Sequence, residues 1–161
     1  APQGPRNQLA ELVMAALDGM ASNSGMADMV AAFIAAEKQK PWQPGHIDCC
    51  MVLANWAMWL GHDDPAPHLR GHYHDEDGFR AIIATHGGVV PLVASCVANI
   101  GGKRVQRPFC GSIGVVGSKT NPDRQFGAIH DGTSWRVRMI NDYGTLCATP
   151  LAVWDISGGA R

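Results

Sequence analysis

The sequence predicts an α+β fold in which helices occupy the first two thirds of the chain and a small antiparallel sheet occupies the last third. Apolar residues recur at helical spacing up to about residue 100. From Lys103 onward, short β-type segments alternate with Gly, Asn, Asp and Pro. The length of 161 residues suits one domain. Helices followed by strands favour a sheet packed against helices.

Two helices are predicted before residue 40. Residues 7–22 carry apolar side chains at helical spacing, namely Leu9, Leu12, Val13, Ala16, Leu17 and Met20. Residues 22–25 (Ser-Asn-Ser-Gly) are expected to end this helix. A second helix is predicted over residues 26–38, with Met29, Val30, Phe33 and Ile34 on its core face. The first helix is expected either to pack on its own domain or to dock on a neighbouring subunit.

A third helix, over residues 49–60, is apolar nearly all round and is therefore predicted to be the central buried helix. Asp48 precedes it, and a carboxylate there accepts the unpaired backbone N–H groups of a first turn. Residues 62–77 form a polar loop in this interpretation. Further helices are predicted over residues 78–85 and 90–100, and strands over residues 112–116, 126–130, 134–140 and 148–155.

The composition narrows the function classes. Charged residues make up 17% of the chain, against about 25% in an average soluble domain. The net charge of −1 argues against a dedicated nucleic-acid binder. Such a surface is typical of a subunit partly covered by neighbours. The longest apolar stretch, residues 49–60, is shorter than the roughly 18 residues that span a bilayer, so no membrane insertion is expected.

The cysteines and histidines favour neither a disulfide framework nor a metal site. Five cysteines without a C-x-x-C pair indicate mostly reduced thiols in a protein made in the cytoplasm. Three histidines (His68, His72, His74) and the acidic residues 75–77 crowd one short loop without a supporting helical motif. We interpret them as a solvated loop and expect no metal and no cofactor.

The Asp48-Cys49 pair is the most informative feature, because it places a thiol in the first turn of a buried helix. A helix N-terminus favours the nucleophilic thiolate. Cys49 is therefore a candidate nucleophile. In the alternative interpretation, Cys49 and Cys50 are small core residues, as most free cysteines are.

Several short motifs in a fixed order resemble a known superfamily. They are Trp42-x-x-Gly45, Asp48-Cys49-Cys50, the sequence Gly-His-Asp-Asp-Pro-Ala at 61–66, Arg-Gly-His-Tyr at 70–73, Gly78-Phe79, Gly87-Gly88 and Gly-Ala-Ile at 127–129. The pattern resembles the NlpC-type peptidases, which are cell-wall endopeptidases of papain-like fold. It more closely resembles a family encoded among phage and prophage tail genes. The resemblance covers about residues 28–155. It divides the chain into an N-terminal extension with an amphipathic helix (1–27) and an NlpC-type domain (28–161).

The resemblance implies that Cys49 is the nucleophile and that Asp48 and Gln125 lie in the site. The base histidine of the NlpC-type pattern falls on Gln125, and an amide cannot take a proton from a thiol. His130 is one alternative base: its odd separation from position 125 points it to the other face of a regular strand, and a β-bulge would turn it back towards the site. His46, two residues before Asp48, is another.

Two functions follow as expectations. In the first, the chain is a virion protein at the tail tip of a phage or phage-like particle, made in the host cytoplasm. There it would be a cysteine endopeptidase that cleaves the peptidoglycan stem, with peptidoglycan and hub or distal tail proteins as partners. In the second, it is a structural tail protein that keeps the peptidase fold without its activity. Gln125, and Ser112 at a position where the pattern has Asp, favour the second function.

Overall fold

The computed structural model describes the backbone of residues 5–158 and the side chains of residues 8–13 and 25–158. The helices of this part are α1 (Pro5–Glu37), α2 (Met51–Trp59), α3 (Glu76–His86), α4 (Val89–Ala98) and a short 3-10 helix, η1 (Pro122–Arg124). The strands are β1 (Lys103–Val105), β2 (Ile113–Gly117), β3 (Gln125–His130), β4 (Trp135–Arg138), β5 (Tyr143–Leu146) and β6 (Ala152–Asp155). The predicted order, helices first and sheet last, is confirmed.

The six strands form one antiparallel sheet in the order β1-β6-β2-β3-β4-β5. The prediction of an antiparallel sheet is therefore correct. Two edge strands were not predicted. β1 has the side chains of a basic loop, and it pairs with β6 through its backbone. β5 lies in a stretch where apolar and polar side chains do not clearly alternate. The predicted strand over residues 148–155 is shorter than expected and begins at Ala152.

The first two predicted helices are a single helix, so the predicted break at residues 22–25 is wrong. Ser, Asn and Gly lower helix propensity, but each costs only about 1 kcal/mol or less, which does not stop a helix. The proposed boundary at residue 27 consequently falls inside α1. The side chains of Leu9, Leu12 and Val13 are exposed, and those of Ala16, Leu17 and Met20 lie outside the described side chains.

The C-terminal part of α1 joins the core through Val30, Phe33 and Ile34, as predicted, whereas Met29, also predicted on the core face, is exposed. Its end is bound to the sheet by Arg138, a fully buried residue of β4. The Arg138 guanidinium donates hydrogen bonds to the carbonyl oxygens of Glu37 (2.7 Å) and Lys40 (2.8 Å). Unpaired carbonyl groups at a helix end need such donors. This contact fixes the α1 terminus against β4.

Helix α2 lies at the centre of the core, as predicted. Trp56 is fully buried and donates its indole N–H to the Gly111 carbonyl oxygen at 2.9 Å. Its last turn reaches solvent, where Met58 and Trp59 are exposed. None of the described helices is long and apolar enough by itself to cross a membrane; α3 and α4 pass that test only as a pair, bent by 75°.

Candidate functional site

A cleft of about 300 Å³ lies where the start of α2 meets α3 and the sheet. It contains three of the residues predicted for the site: Asp48, Cys49 and Gln125. Its other lining side chains are aromatic, apolar, acidic or arginine, and come from the loops before α2 and α3, from α3, η1 and β3, and from the end of β4 and the turn after it. Among them are Trp42, Tyr73, Asp75, Glu76, Phe79, Arg80, Asp123, Phe126, Arg138, Met139 and Ile140.

Asp48 organises the loop that presents Cys49. One carboxylate oxygen accepts the backbone N–H groups of Cys50 (2.9 Å) and Met51 (2.7 Å). The other oxygen accepts the Gly45 N–H at 2.9 Å and the Tyr73 hydroxyl. The predicted capping role of Asp48 is confirmed. The prediction that α2 starts at Cys49 is wrong by two residues, because α2 starts at Met51; the Asp48 carbonyl oxygen accepts the Val52 N–H at 3.2 Å.

Tyr73 supports Asp48 from the loop before α3. Burial and the neighbouring Asp48 carboxylate raise the pKa of the Tyr73 phenol well above its ordinary value. The hydroxyl therefore stays protonated and donates to the carboxylate at any physiological pH. No local pattern in the sequence indicates this pair, since the two residues are 25 positions apart.

The two adjacent thiols have different environments. Cys49 lines the cleft, whereas Cys50 packs against the main core. A hydrogen bond with Cys49 and burial raise the pKa of Cys50 well above its ordinary value, so Cys50 remains a neutral thiol. The backbone at Cys49 lies so close to β3 that a Cβ atom at position 127 would be only 2.5 Å from the Cys49 carbonyl oxygen. Glycine at position 127 thus permits the approach of α2 to the sheet.

Gln125 occupies the position where the resemblance places a base. It lies on the same face of β3 as Gly127, because strand side chains alternate. The Gln125 amide donates a hydrogen bond from Nε2 to the Ser118 carbonyl oxygen at 2.7 Å. The cleft therefore brings Cys49 together with an amide that is already hydrogen bonded.

The structure does not bring His130 to the cleft. The pairing of β2 with β3 runs without interruption from Gly117↔Gln125 to Ile113↔Ile129, so no bulge rotates His130 towards the face of Gly127. His130 is buried on the opposite face, where its ring packs edge-on against Trp135 at 4.9 Å. Burial lowers the pKa of His130, which favours the neutral imidazole.

His46 also lies outside the cleft lining. The His46 side chain is half-buried, and its ring packs beside the backbone of Gly71. A Cβ atom at position 71 would lie 3.4 Å from the ring. Its carbonyl oxygen accepts a hydrogen bond from the Asn55 side chain at 3.0 Å. Among the described residues that line the cleft, there is no histidine.

Carboxylates gather at one side of the cleft, around Arg80. The Arg80 guanidinium lies 3.0 Å from an Asp123 carboxylate oxygen, and this contact joins α3 to η1. It also lies 3.6 Å from a Glu76 carboxylate oxygen within α3. Asp75 accepts the Gly78 N–H at 2.7 Å and so caps α3, which begins two residues earlier than predicted. The sequence signal for this start was the acidic run at 75–77. Within the described residues, no group of three or more His, Cys, Asp or Glu side chains is arranged to hold a metal ion.

Comparison with known proteins identifies one family. The model of a domain of unknown function, DUF6950, matches residues 24–151. No curated protein and no solved structure matches the chain. The matched region begins within α1, contains the whole cleft lining and ends just before β6. Because it covers well over half of the sequence, the chain belongs to the DUF6950 family.

Proposed function

We propose that this protein is a structural component of a phage or phage-like tail, at the tail tip, that keeps an NlpC-type, papain-like architecture without peptidase activity. One observation carries the loss of activity: the cleft presents the Cys49 thiol together with Gln125, and the described side chains that line it include no histidine. A cysteine nucleophile needs a partner that accepts its proton. The glutamine amide has no such capacity.

The four carboxylates that line the cleft have partners other than the Cys49 thiol, and two of them, Glu76 and Asp123, pair with Arg80. The Asp48 carboxylate already accepts four hydrogen bonds, from three backbone N–H groups and from Tyr73. The Asp75 carboxylate caps α3. Both groups are therefore engaged in holding the walls of the cleft. This arrangement supports a binding surface that is rigid at the start of α2.

The tail assignment depends on the sequence resemblance, supported by the low content of charged residues. A surface with few charges suits a subunit that is covered by neighbours. The partners in this proposal are hub or distal tail proteins. The near-zero net charge gives the chain little electrostatic attraction to an anionic cell wall, which favours delivery as part of an assembly.

A peptidoglycan endopeptidase is the second candidate, and one observation favours it. Cys49 lies in the turn before α2 and lines an open cleft, where a substrate carbonyl group could reach its thiol. In this alternative, Cys49 attacks a peptide carbonyl group of the stem peptide. A group from outside the described lining would then have to take the proton.

A gene replacement separates the two functions. In the phage or prophage that encodes the chain, we expect Cys49→Ala to leave particle assembly and infection unchanged, whereas deletion of the gene prevents assembly of complete tails. Loss of infection with normal particles in the Cys49→Ala strain would instead support the enzyme. Normal assembly after deletion of the gene would contradict the structural role.

Gln125→His is expected to make Cys49 more reactive. An imidazole at this position would face the same cleft as the thiol, and a nearby imidazole stabilises the thiolate. The rate of Cys49 alkylation by iodoacetamide at neutral pH, followed by peptide mass spectrometry, should rise several-fold. Exposed Cys147 serves as an internal control whose rate should not change. An unchanged rate at Cys49 would show that position 125 is not the base position.

A further inference from the structure

The two edges of the sheet differ in how they are protected. Exposed edge strands offer unpaired backbone groups to other chains, and proteins commonly block them with charged side chains. At one edge, β1 is only three residues long and carries Lys103 and Arg104. Arg104 lies over the ring of Trp154 at 5.3 Å. The β1 edge is therefore short and basic.

The β5 edge has no such protection. Residues 143–151 contain no charged side chain. Thr145 and Leu146 are exposed, and the chain stays exposed as far as residue 149. Large exposed apolar side chains also lie in the turn that leads into β5, at Met139 and Ile140. This edge therefore combines a strand of neutral residues with nearby apolar surface.

The hydrogen-bond pattern shows which backbone groups of β5 face outward. The Met139 N–H donates to the Asp142 carbonyl oxygen at 2.7 Å, and hydrogen-bonded pairs alternate along an antiparallel ladder. The N–H and C=O groups of Gly144, which is paired with Val137, therefore bond to β4. The N–H and C=O groups of Thr145 point away from β4. The outward N–H of Tyr143 is already taken by the Asp142 side chain at 2.7 Å.

We propose that the β5 edge is an interface between two copies of this chain, formed by antiparallel pairing of β5 with β5 of the second copy. Pairing of β1 with β1 would bring Lys103 and Arg104 of both copies together. Pairing of β1 with β5 is heterologous and leaves free edges that extend into a filament. Pairing of β5 with β5 brings no like charges together and closes as a two-fold dimer.

The test is self-association of the full chain, measured by analytical ultracentrifugation over a concentration series into the high micromolar range. We expect the mass to rise from the 17.2 kDa monomer towards twice that value. Thr145→Lys places a charge at the centre of the pairing and should weaken association by about tenfold or more. Thr133→Lys adds the same charge in the exposed β3–β4 turn and should associate like the wild type.

Hydrogen exchange provides a second readout that does not depend on the fold of a variant. Amides of residues 143–149 in the wild type should exchange more slowly as concentration rises, while those of β1 should not change. A wild-type chain that stays monomeric throughout the series would overturn the proposal. So would association in which residues 143–149 gain no protection, because another surface would then form the dimer.

Discussion

Replacement of Arg138 by methionine is expected to lower the free energy of unfolding by about 3–5 kcal/mol, because it removes a buried charged donor from several acceptors at once. The Arg138 side chain is 1% exposed. It donates to the carbonyl oxygens of Glu37, Lys40 and Met139. Methionine fills similar volume but leaves these carbonyl groups without their donor. The end of α1 would then lose its attachment to β4.

Urea unfolding followed by tryptophan fluorescence measures this effect. Arg138→Lys keeps the charge but not the planar set of donors, so we expect it to recover only part of the loss. Arg136→Met is the matched control on the same strand. Arg136 is half-buried and lies 3.7 Å from Asp131, a contact worth about 1 kcal/mol or less. Equal stability of the Arg138→Met and Arg136→Met variants would contradict this role of Arg138.

Asp48→Ala should have the second largest effect, a loss of about 2–4 kcal/mol. Removal of the carboxylate leaves the first-turn N–H groups of Cys50 and Met51 without an acceptor, and loss of such a cap typically costs about 1 kcal/mol. It also leaves the buried Tyr73 hydroxyl unpaired, which costs about 1–3 kcal/mol more. The turn that presents Cys49 should loosen as a result.

Two related variants separate these contributions. Asp48→Asn keeps the shape and one acceptor oxygen, and Tyr73→Phe removes a single donor. We expect the loss of stability to be largest for Asp48→Ala, intermediate for Asp48→Asn and smallest for Tyr73→Phe. Alkylation of Cys49 should be faster in the Asp48→Ala variant than in the wild type. If Asp48→Ala and Tyr73→Phe are equally stable, the Asp48 carboxylate does not hold the turn.

The parts of the fold that follow local rules were predictable from the sequence. The apolar run at residues 49–60 indicated the buried helix, and Asp48 indicated its cap, because both signals are local. The length of α1 was not predictable in this way, since the residues at 22–25 only weaken a helix. β1 escaped prediction because a backbone ladder with β6 holds a segment whose side chains are typical of a loop.

The candidate site also contains some residues that the sequence indicated and others that only long-range contacts reveal. Cys49 and Gln125 were found through motif order, whereas His130 was wrong as a candidate base, because it needed a bulge that the pairing of β2 with β3 does not contain. Tyr73 and Arg138 were missed, because their roles arise from contacts with residues 25 or more positions away. Short motifs therefore located the cleft, while long-range packing determined which groups hold its walls.

Digestion of peptidoglycan by the purified chain distinguishes an inactive tail protein from an endopeptidase. The wild type and the Cys49→Ala variant are incubated with peptidoglycan, and released peptides are measured by mass spectrometry. A cleft that pairs the Cys49 thiol with Gln125 and has no histidine among its described lining side chains predicts no released peptides from either protein. Release by the wild type that disappears in Cys49→Ala would contradict the account and establish an endopeptidase.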